Sequence, residues 1–376
     1  MIQAISFMQT AIKKIAISTG GGDAPGLNAV IRSVVIAAEQ RGWECYGIRE
    51  GFNGILRPER YPNDGITRLT SAQVDHIGHL GGTMLGTTNH GNPLRYPTTM
   101  PDGSVAETDR SPDIHRALKQ AGIDALVCVG GDGTLTIANA LHLQGLRVIG
   151  VPKTIDNDLD KTFTTFGFDT AVAFATECID RLHSTAESHQ RIMVVEVMGR
   201  YAGWIALHAG LAANAHAILI PEIPYCADRL SQHLIQRQQH GQAYSIVIAA
   251  EGAYAKNENR LLQEQAGAGY VERLGGIGES LAHQLQQSTG KEARAVVLGH
   301  LLRGGSPSAF DRVSAMRFGT AAVRALAQGH SGMMVALAFP DVNYVPLEEV
   351  AGRMKAVPLD GDTIQTARDL RICLGD

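Results

Sequence analysis

Short apolar runs alternate with stretches of helical spacing along most of the chain. Ile15–Thr19, Glu44–Ile48, Ala125–Val129, Arg147–Val151, Arg191–Val197, Ala217–Ile220, Ser245–Ala250, Ala293–Leu298 and Met333–Ala338 each read as a strand. Ala125–Val129, apolar throughout and rich in small and β-branched residues, predicts a buried strand. Between them lie helical patterns: Ile31, Val34, Val35 and Ala38 share one face, and longer patterns cover Phe168–Ser188, Tyr201–Ala213, Leu274–Gln287 and about 311–328. Strand–helix–strand repetition predicts an α/β protein with mainly parallel sheets flanked by helices. Residues 91–110 carry prolines and Gly103 and predict an exposed excursion, read as a hairpin. Beyond residue 340 the pattern weakens into a charged, helix-like tail.

Length turns this pattern into two lobes, since 376 residues exceed one small core. A break near 168 with a return near 300 predicts an active site in the cleft between them. Apolar residues make up 44% and charged residues 19%, with 42 glycines, as βα turns require. The formal net charge of −4 gives no electrostatic case for nucleic acid. The 5 cysteines form no CxxC pair and Cys128 sits within a core strand, which predicts reduced thiols and a cytoplasmic protein. No apolar run approaches the ~20 residues of a membrane span. Met1–Ile12 is mildly apolar, but Lys13 and Lys14 follow it, so it reads as a disordered lead-in and not as a signal peptide.

The strongest chemical signal lies between Val127 and Asp158. A strand runs into Gly130-Gly131-Asp132-Gly133-Thr134, and the next runs into Pro152-Lys153-Thr154-Ile155-Asp156-Asn157-Asp158. Carboxyl ends of strands are where open α/β sheets bind ligands. Glycines let a backbone approach a phosphate, and N–H groups at a helix start attract it. Asp132 would repel a bare phosphate but suits Mg²⁺ held between carboxylate and phosphate. In the second turn, one of Asp156 and Asp158 can take a proton from an alcohol while the other orients the metal or its water. Either turn alone also reads as a tight βα connection with an Asp N-cap. With two further glycine turns, 20–26 and 81–89, three glycine turns converge on one edge before residue 135.

The turns of the second half are mostly basic: His189, Arg191, Arg200, Arg294, His300 and Arg303, with Glu251 among them. Guanidinium groups bind phosphate oxygens bidentately. Any one of these reads as a solvated turn residue; six on one sheet edge predict a phosphate-ester site. An acidic, Mg²⁺-type half beside a basic half describes phosphoryl transfer to an already phosphorylated alcohol.

Seven motifs then carry a resemblance: GGGDAPGLNAVIR (20–32), GGTMLGT (81–87), GGDGT (130–134), PKTIDNDL (152–159), SHQRIMVVEVMGRYAG (188–203), AEG (250–252) and LGHLLRGGSPSAFDR (298–312). From about Lys14 to Arg312 the chain resembles the 6-phosphofructokinases, in the order of that family. The resemblance implies ATP-dependent phosphorylation of fructose 6-phosphate to fructose 1,6-bisphosphate, a committed step of glycolysis. It implies that Asp156 is the base for the 1-hydroxyl, and that Thr154 and Asp158 position the phosphoryl group and metal. Asp132 would hold Mg²⁺, and Gly21 with the turn Gly131, Asp132, Gly133 and Thr134 would cradle the donor. Thr154, Ile155, Asp156, Met198, Gly199, Arg200 and Glu251 would hold the sugar, and His300 and Arg303 its 6-phosphate. Arg191 and Arg294 would reach a neighbouring subunit's site, which implies a homotetramer, or a homodimer, with shared sites. The implied lobes are 13–167 plus about 302–350 for nucleotide and Mg²⁺, and 168–301 plus part of the tail for the sugar phosphate.

The chain departs from the ATP-dependent pattern in places. Gly133 stands where pyrophosphate-dependent members tend to carry an aspartate, whereas Lys153 matches their PKTIDND. An aspartate at 133 would place charge and bulk where the α-phosphate lies, and Gly133 leaves that space open, so ATP is the expected donor. Asn89 stands where many ATP-dependent members have an arginine, and Lys153 is the expected substitute cation. Arg32 keeps one effector-site arginine, but Ile36 replaces another, and Gln242, Ala243 and Tyr244 replace lysines, which predicts weak control by anionic effectors. The alternatives are a pyrophosphate-dependent phosphotransferase, a kinase of another phosphosugar, and a non-catalytic paralogue that senses sugar phosphate.

Overall fold

A computed structural model of the chain describes residues 11–256, 258, 260, 262–264 and 273–376. Most of the lead-in expected at Met1–Ile12, through residue 10, lies outside the described residues. The chain divides into two compact units: residues 1–153, 161–163 and 312–353 form the first, and 154–160, 164–311 and 354–376 the second.

The first unit is built on a seven-stranded sheet in the order Asp341–Pro346, Met333–Ala338, Val148–Pro152, Ala125–Gly130, Lys14–Thr19, Glu44–Ile48, Ile66–Leu69. The inner strands pair in parallel and both outermost strands pair antiparallel. Ala125–Gly130 and Val148–Pro152 are buried at every position, because a parallel sheet has helices on both faces. From Lys14–Thr19 the chain crosses to one side of the sheet, and from Ala125–Gly130 to the other. These two neighbours therefore define the topological switch point, where the turns beyond their carboxyl ends splay apart and leave a crevice. The excursion at 91–110 is a two-stranded antiparallel hairpin, Tyr96–Thr99 with Val105–Thr108.

The second unit holds a four-stranded parallel sheet in the order Ala293–Val297, Ile192–Val197, Ser245–Ala250, Ala217–Leu219. Its helices include Phe168–His189, Trp204–Ala212, Ala227–Gln239 and Ile277–Thr289. The tail is not a loose end. Cys373 adds a parallel bridge to Ala217 at the sheet edge, and the amide of Ile218 donates to the Cys373 carbonyl at 2.9 Å.

The unit boundaries differ from those expected at about 167 and 302. The first change of unit falls between Lys153 and Thr154, and the later one between Asp311 and Arg312. Thr154–Asp160 leaves the first sheet because its hydrogen bonds go elsewhere: Thr165 Oγ1 donates to the Thr154 carbonyl at 2.7 Å, and the Lys355 amide to the Asp158 carbonyl at 2.8 Å. Residues up to Asp311 stay with the second unit because the buried Asp311 carboxylate accepts from both the amide and hydroxyl of Thr170, at 2.8 and 2.6 Å.

Candidate active site

In the first unit three glycine turns are tied to one another. The Gly20 amide donates to Val129 at 2.9 Å, joining the first turn to the strand that leads into Gly130. The Gly21 amide donates to Thr88 at 3.0 Å, and Thr87 Oγ1 returns a bond to the Gly21 carbonyl at 2.6 Å. Thr19 Oγ1 donates to Gly86 at 2.8 Å. Thr134 fixes the spacing. It is buried, and a Cβ on Gly20 would sit 2.7 Å from its hydroxyl, so the first and third turns pack only with glycine there. Lys153 is 3% exposed, and its ammonium donates to the Gly22 carbonyl. This cation is therefore built into the base of the turns.

Gly133 is different. It is exposed, its φ is not left-handed, and a Cβ there would meet no atom within 4 Å. Neither packing nor backbone conformation requires a glycine at this place. Next to it, exposed Asp132 opens the helix Asp132–Leu143, and its Oδ1 accepts the Gly352 amide at 2.7 Å. No cluster of three or more metal-ligating side chains occurs among the described residues. A lone carboxylate at a phosphate-type turn fits Mg²⁺, which takes one or two carboxylates and draws its remaining ligands from phosphate and water.

In the second unit the turn Thr154–Asp158 is closely held. Thr154 Oγ1 accepts the Asp156 amide at 3.0 Å. Asn157 is 4% exposed with φ +52°, and its Oδ1 accepts the Thr165 amide at 3.2 Å. Non-glycine residues adopt that φ only where the surroundings hold them, and asparagine is strained least by it. Ile155 is fully buried beneath the turn.

Arg200, Glu251, His300 and Arg303 all follow the carboxyl ends of strands in the four-stranded sheet, and Met198 and Gly199 lead into Arg200. The Glu251 amide donates to Val197 at 2.9 Å and the Gly252 amide to Gly199 at 3.1 Å, so the two turns interlock. Burial pushes the Glu251 carboxyl up to about 7, the charge of Asp156 adds to the rise, and Arg200 opposes it.

Arg191 and Arg294 overturn one expectation. Arg191 precedes the strand Ile192–Val197 and Arg294 lies at the start of Ala293–Val297, so both stand at the amino edge of the sheet, with His189 beside them at a helix end. Both pair with Glu292, at 3.1 and 2.6 Å. The basic residues thus form two groups separated by a strand's length of roughly 17 Å. A residue before a strand and one after it cannot serve the same edge.

Two residues escaped sequence reading. Lys355, in the tail, donates from Nζ to Asn157 Oδ1 at 2.9 Å. Glu222 accepts the amides of Gly203, at 3.1 Å, and of Val357, at 2.8 Å. The tail's weak, helix-like pattern gives no local signal of its pairing with the Thr154–Asp160 turn.

Glycine turns at a switch point in one α/β unit, and a carboxylate turn with arginine and histidine in the other, define the class as an α/β protein built for phosphoryl transfer. The family model described as "Phosphofructokinase" matches residues 14–326. The chain is 48% identical over 98% of its length to the ATP-dependent 6-phosphofructokinase of Chloroflexus aurantiacus, covering 99% of that protein. It is 47% identical over 92% of its length to the pyrophosphate–fructose 6-phosphate 1-phosphotransferase of Amycolatopsis mediterranei, covering 97% of that protein. Among solved structures, Pichia pastoris phosphofructokinase in the T-state superposes with a TM-score of 0.77 and 29% identity, over 98% of this chain and 37% of the longer yeast chain. The chain belongs to the phosphofructokinase family.

Proposed function

We propose that the protein transfers the γ-phosphoryl group of ATP to the 1-hydroxyl of fructose 6-phosphate, giving fructose 1,6-bisphosphate for glycolysis in the cytoplasm. The observation that carries the donor choice is the open space at Gly133. Relatives named for ATP and for pyrophosphate are almost equally similar, so whole-chain identity does not separate the donors. A nucleotide needs room for its α-phosphate beside the turn, and among the described residues no atom lies within 4 Å of where a Cβ on Gly133 would stand.

In this reading the turns at Gly21 and Gly131–Thr134 bind donor phosphates through backbone amides. Asp132 holds Mg²⁺, which supplies charge neutralisation on the phosphates when bound. Lys153, anchored on the Gly22 carbonyl, adds positive charge at the place from which Asn89 offers none. Asp156 takes the proton of the attacking hydroxyl, and Thr154 and Asp158 orient the reacting groups. Met198, Gly199, Arg200 and Glu251 hold the sugar, and His300 and Arg303 take its 6-phosphate.

Arg191 and Arg294, at the opposite sheet edge, serve a neighbouring copy, which supports a homotetramer or homodimer with shared sites. Control by anionic effectors is weak: Arg32 is engaged with Asp75 at 2.9 Å, Ile36 carries no charge, and the Tyr244 hydroxyl faces His183 Nδ1 at 3.1 Å. The test is to incubate the protein with fructose 6-phosphate and Mg²⁺, offering ATP or pyrophosphate separately, and to measure fructose 1,6-bisphosphate. Product from ATP alone is expected. Product from pyrophosphate alone overturns the donor assignment, and no product from either moves the weight to another phosphosugar or to a sensor.

A further inference from the structure

The segment after Arg353 pairs with the carboxylate turn along its own backbone. Met354 and Leu159 form an antiparallel bridge, and the Lys355 amide donates to the Asp158 carbonyl at 2.8 Å. Both ends of this pairing are fixed. Trp204 Nε1 donates to the Lys355 carbonyl at 2.9 Å, and two residues on, the Val357 amide reaches Glu222 at 2.8 Å. Glu222 also holds the Gly203 amide, at the start of the helix that carries Trp204. The Lys355 side chain is thereby delivered to one place. Its ammonium stands 5.5 Å from the Trp204 ring centroid and donates to Asn157 Oδ1 at 2.9 Å.

Asn157 is the residue on which the turn bends. It is buried and left-handed, and it lies between the two carboxylates, Asp156 and Asp158. Its Oδ1 takes two bonds, one from the Thr165 amide and one from Lys355. A left-handed asparagine persists where its neighbours over-determine it. The ammonium also acts on charge. Burial pulls the Lys355 ammonium down to about 8, while Asp158 and Asp160 favour its charged form, so at neutral pH one half-buried cation still offsets carboxylates that are two residues apart. Like charges that close would otherwise push the turn open.

We propose that Lys355 is a positioning residue for phosphoryl transfer, holding Asn157 and offsetting Asp158 and Asp160 so that Asp156 and Asp158 keep their orientation. The proposal rests on the kinase reading above. It does not require Lys355 to touch substrate, and it makes the tail a working part of the site.

Lys355→Met keeps the packing against Trp204 and removes only the ammonium; Lys355→Arg keeps the charge. Steady-state kinetics with fructose 6-phosphate and ATP separate kcat from KM. Calorimetric binding of fructose 6-phosphate, without Mg²⁺ or nucleotide, and thermal melting report on the sugar site and the fold. The expected result is a kcat about 10- to 100-fold lower in Lys355→Met, the scale on which misplaced reacting groups slow a reaction. Sugar-phosphate affinity and melting temperature stay near wild type, and Lys355→Arg recovers most of the rate. If Lys355→Met fails to fold, Lys355→Gln is read in the same way. An active wild type beside an equally active Lys355→Met overturns the inference alone. So does a loss of rate matched by equal losses of binding and melting temperature in both variants. A wild type inactive with either donor overturns the kinase reading itself, and this inference with it.

Discussion

The charge of Asp156 adds to burial in raising the Glu251 carboxyl to about 7. A carboxylate accepts stronger hydrogen bonds from sugar hydroxyls than a neutral carboxyl does. KM for fructose 6-phosphate is therefore expected to fall as pH rises from 6 to 8, by about three- to tenfold beyond the substrate's own titration. Glu251→Gln keeps only the substrate's share of that dependence. The sign for stability runs the other way. A carboxyl raised on folding contributes stability at acid pH and loses it as pH passes about 7. Glu251→Gln is expected to melt higher than wild type at pH 8, with the gap closing toward pH 5.

Gly133→Asp tests the donor. A Cβ there meets no atom of the described residues within 4 Å, so melting temperature is expected to stay within about 1 °C of wild type, as for surface substitutions generally. ATP-dependent kcat/KM is expected to fall about a hundredfold or more, since apposed like charges cost several kcal/mol. An unchanged ATP rate would show that the α-phosphate lies elsewhere.

Arg191 and Arg294 lead to a complementation experiment. In the proposed mechanism Asp156→Asn removes a subunit's own base, and Arg191→Ala removes what it would lend to its neighbour. Each variant alone is expected to be nearly inactive. Unfolding and refolding the two together at equal amounts is expected to restore about a quarter of wild-type activity, as random pairing in a two-fold interface predicts. No recovery would mean that Arg191 acts within its own chain or not at all.

Acid stability is expected to turn on His216. Burial, with Arg237 and two neighbouring histidines adding, pulls its pKa down to about 3, and its Nδ1 accepts the Ile246 amide at 2.8 Å. A histidine kept neutral on folding contributes stability above its ordinary value and loses it as pH falls from about 6.5 toward 3. The loss reaches several kcal/mol, because each tenfold weakening of proton affinity is worth ~1.4 kcal/mol. His216→Gln is expected to flatten melting temperature against pH between 6.5 and 4. A profile as steep as wild type's would assign the acid lability to other groups.

The strands and long helices of both units were legible because their apolar runs answer to burial on two faces, which leaves a local mark. The glycine turns were legible for the same reason, since Gly20 and Thr134 must pack. The antiparallel edge strands Ile66–Leu69 and Asp341–Pro346 were not, because edges are only partly buried and lack that mark. The two groups of arginines could have been told apart: Arg191 precedes a strand and Arg200 follows the same one. Lys355 could not be found at all. Its partner Asn157 is far off in sequence, and nothing around a tail lysine announces a backbone pairing.

The open ground around Gly133 has a meaning for ancestry. The fold asks nothing of that position, neither a left-handed backbone nor a close neighbour. If Gly133 sets the donor as proposed, a lineage could exchange one phosphoryl donor for another by a single codon there, with no second change needed to rescue the folded state. Donor preference would then drift with the metabolism of the cell, while the architecture stayed still.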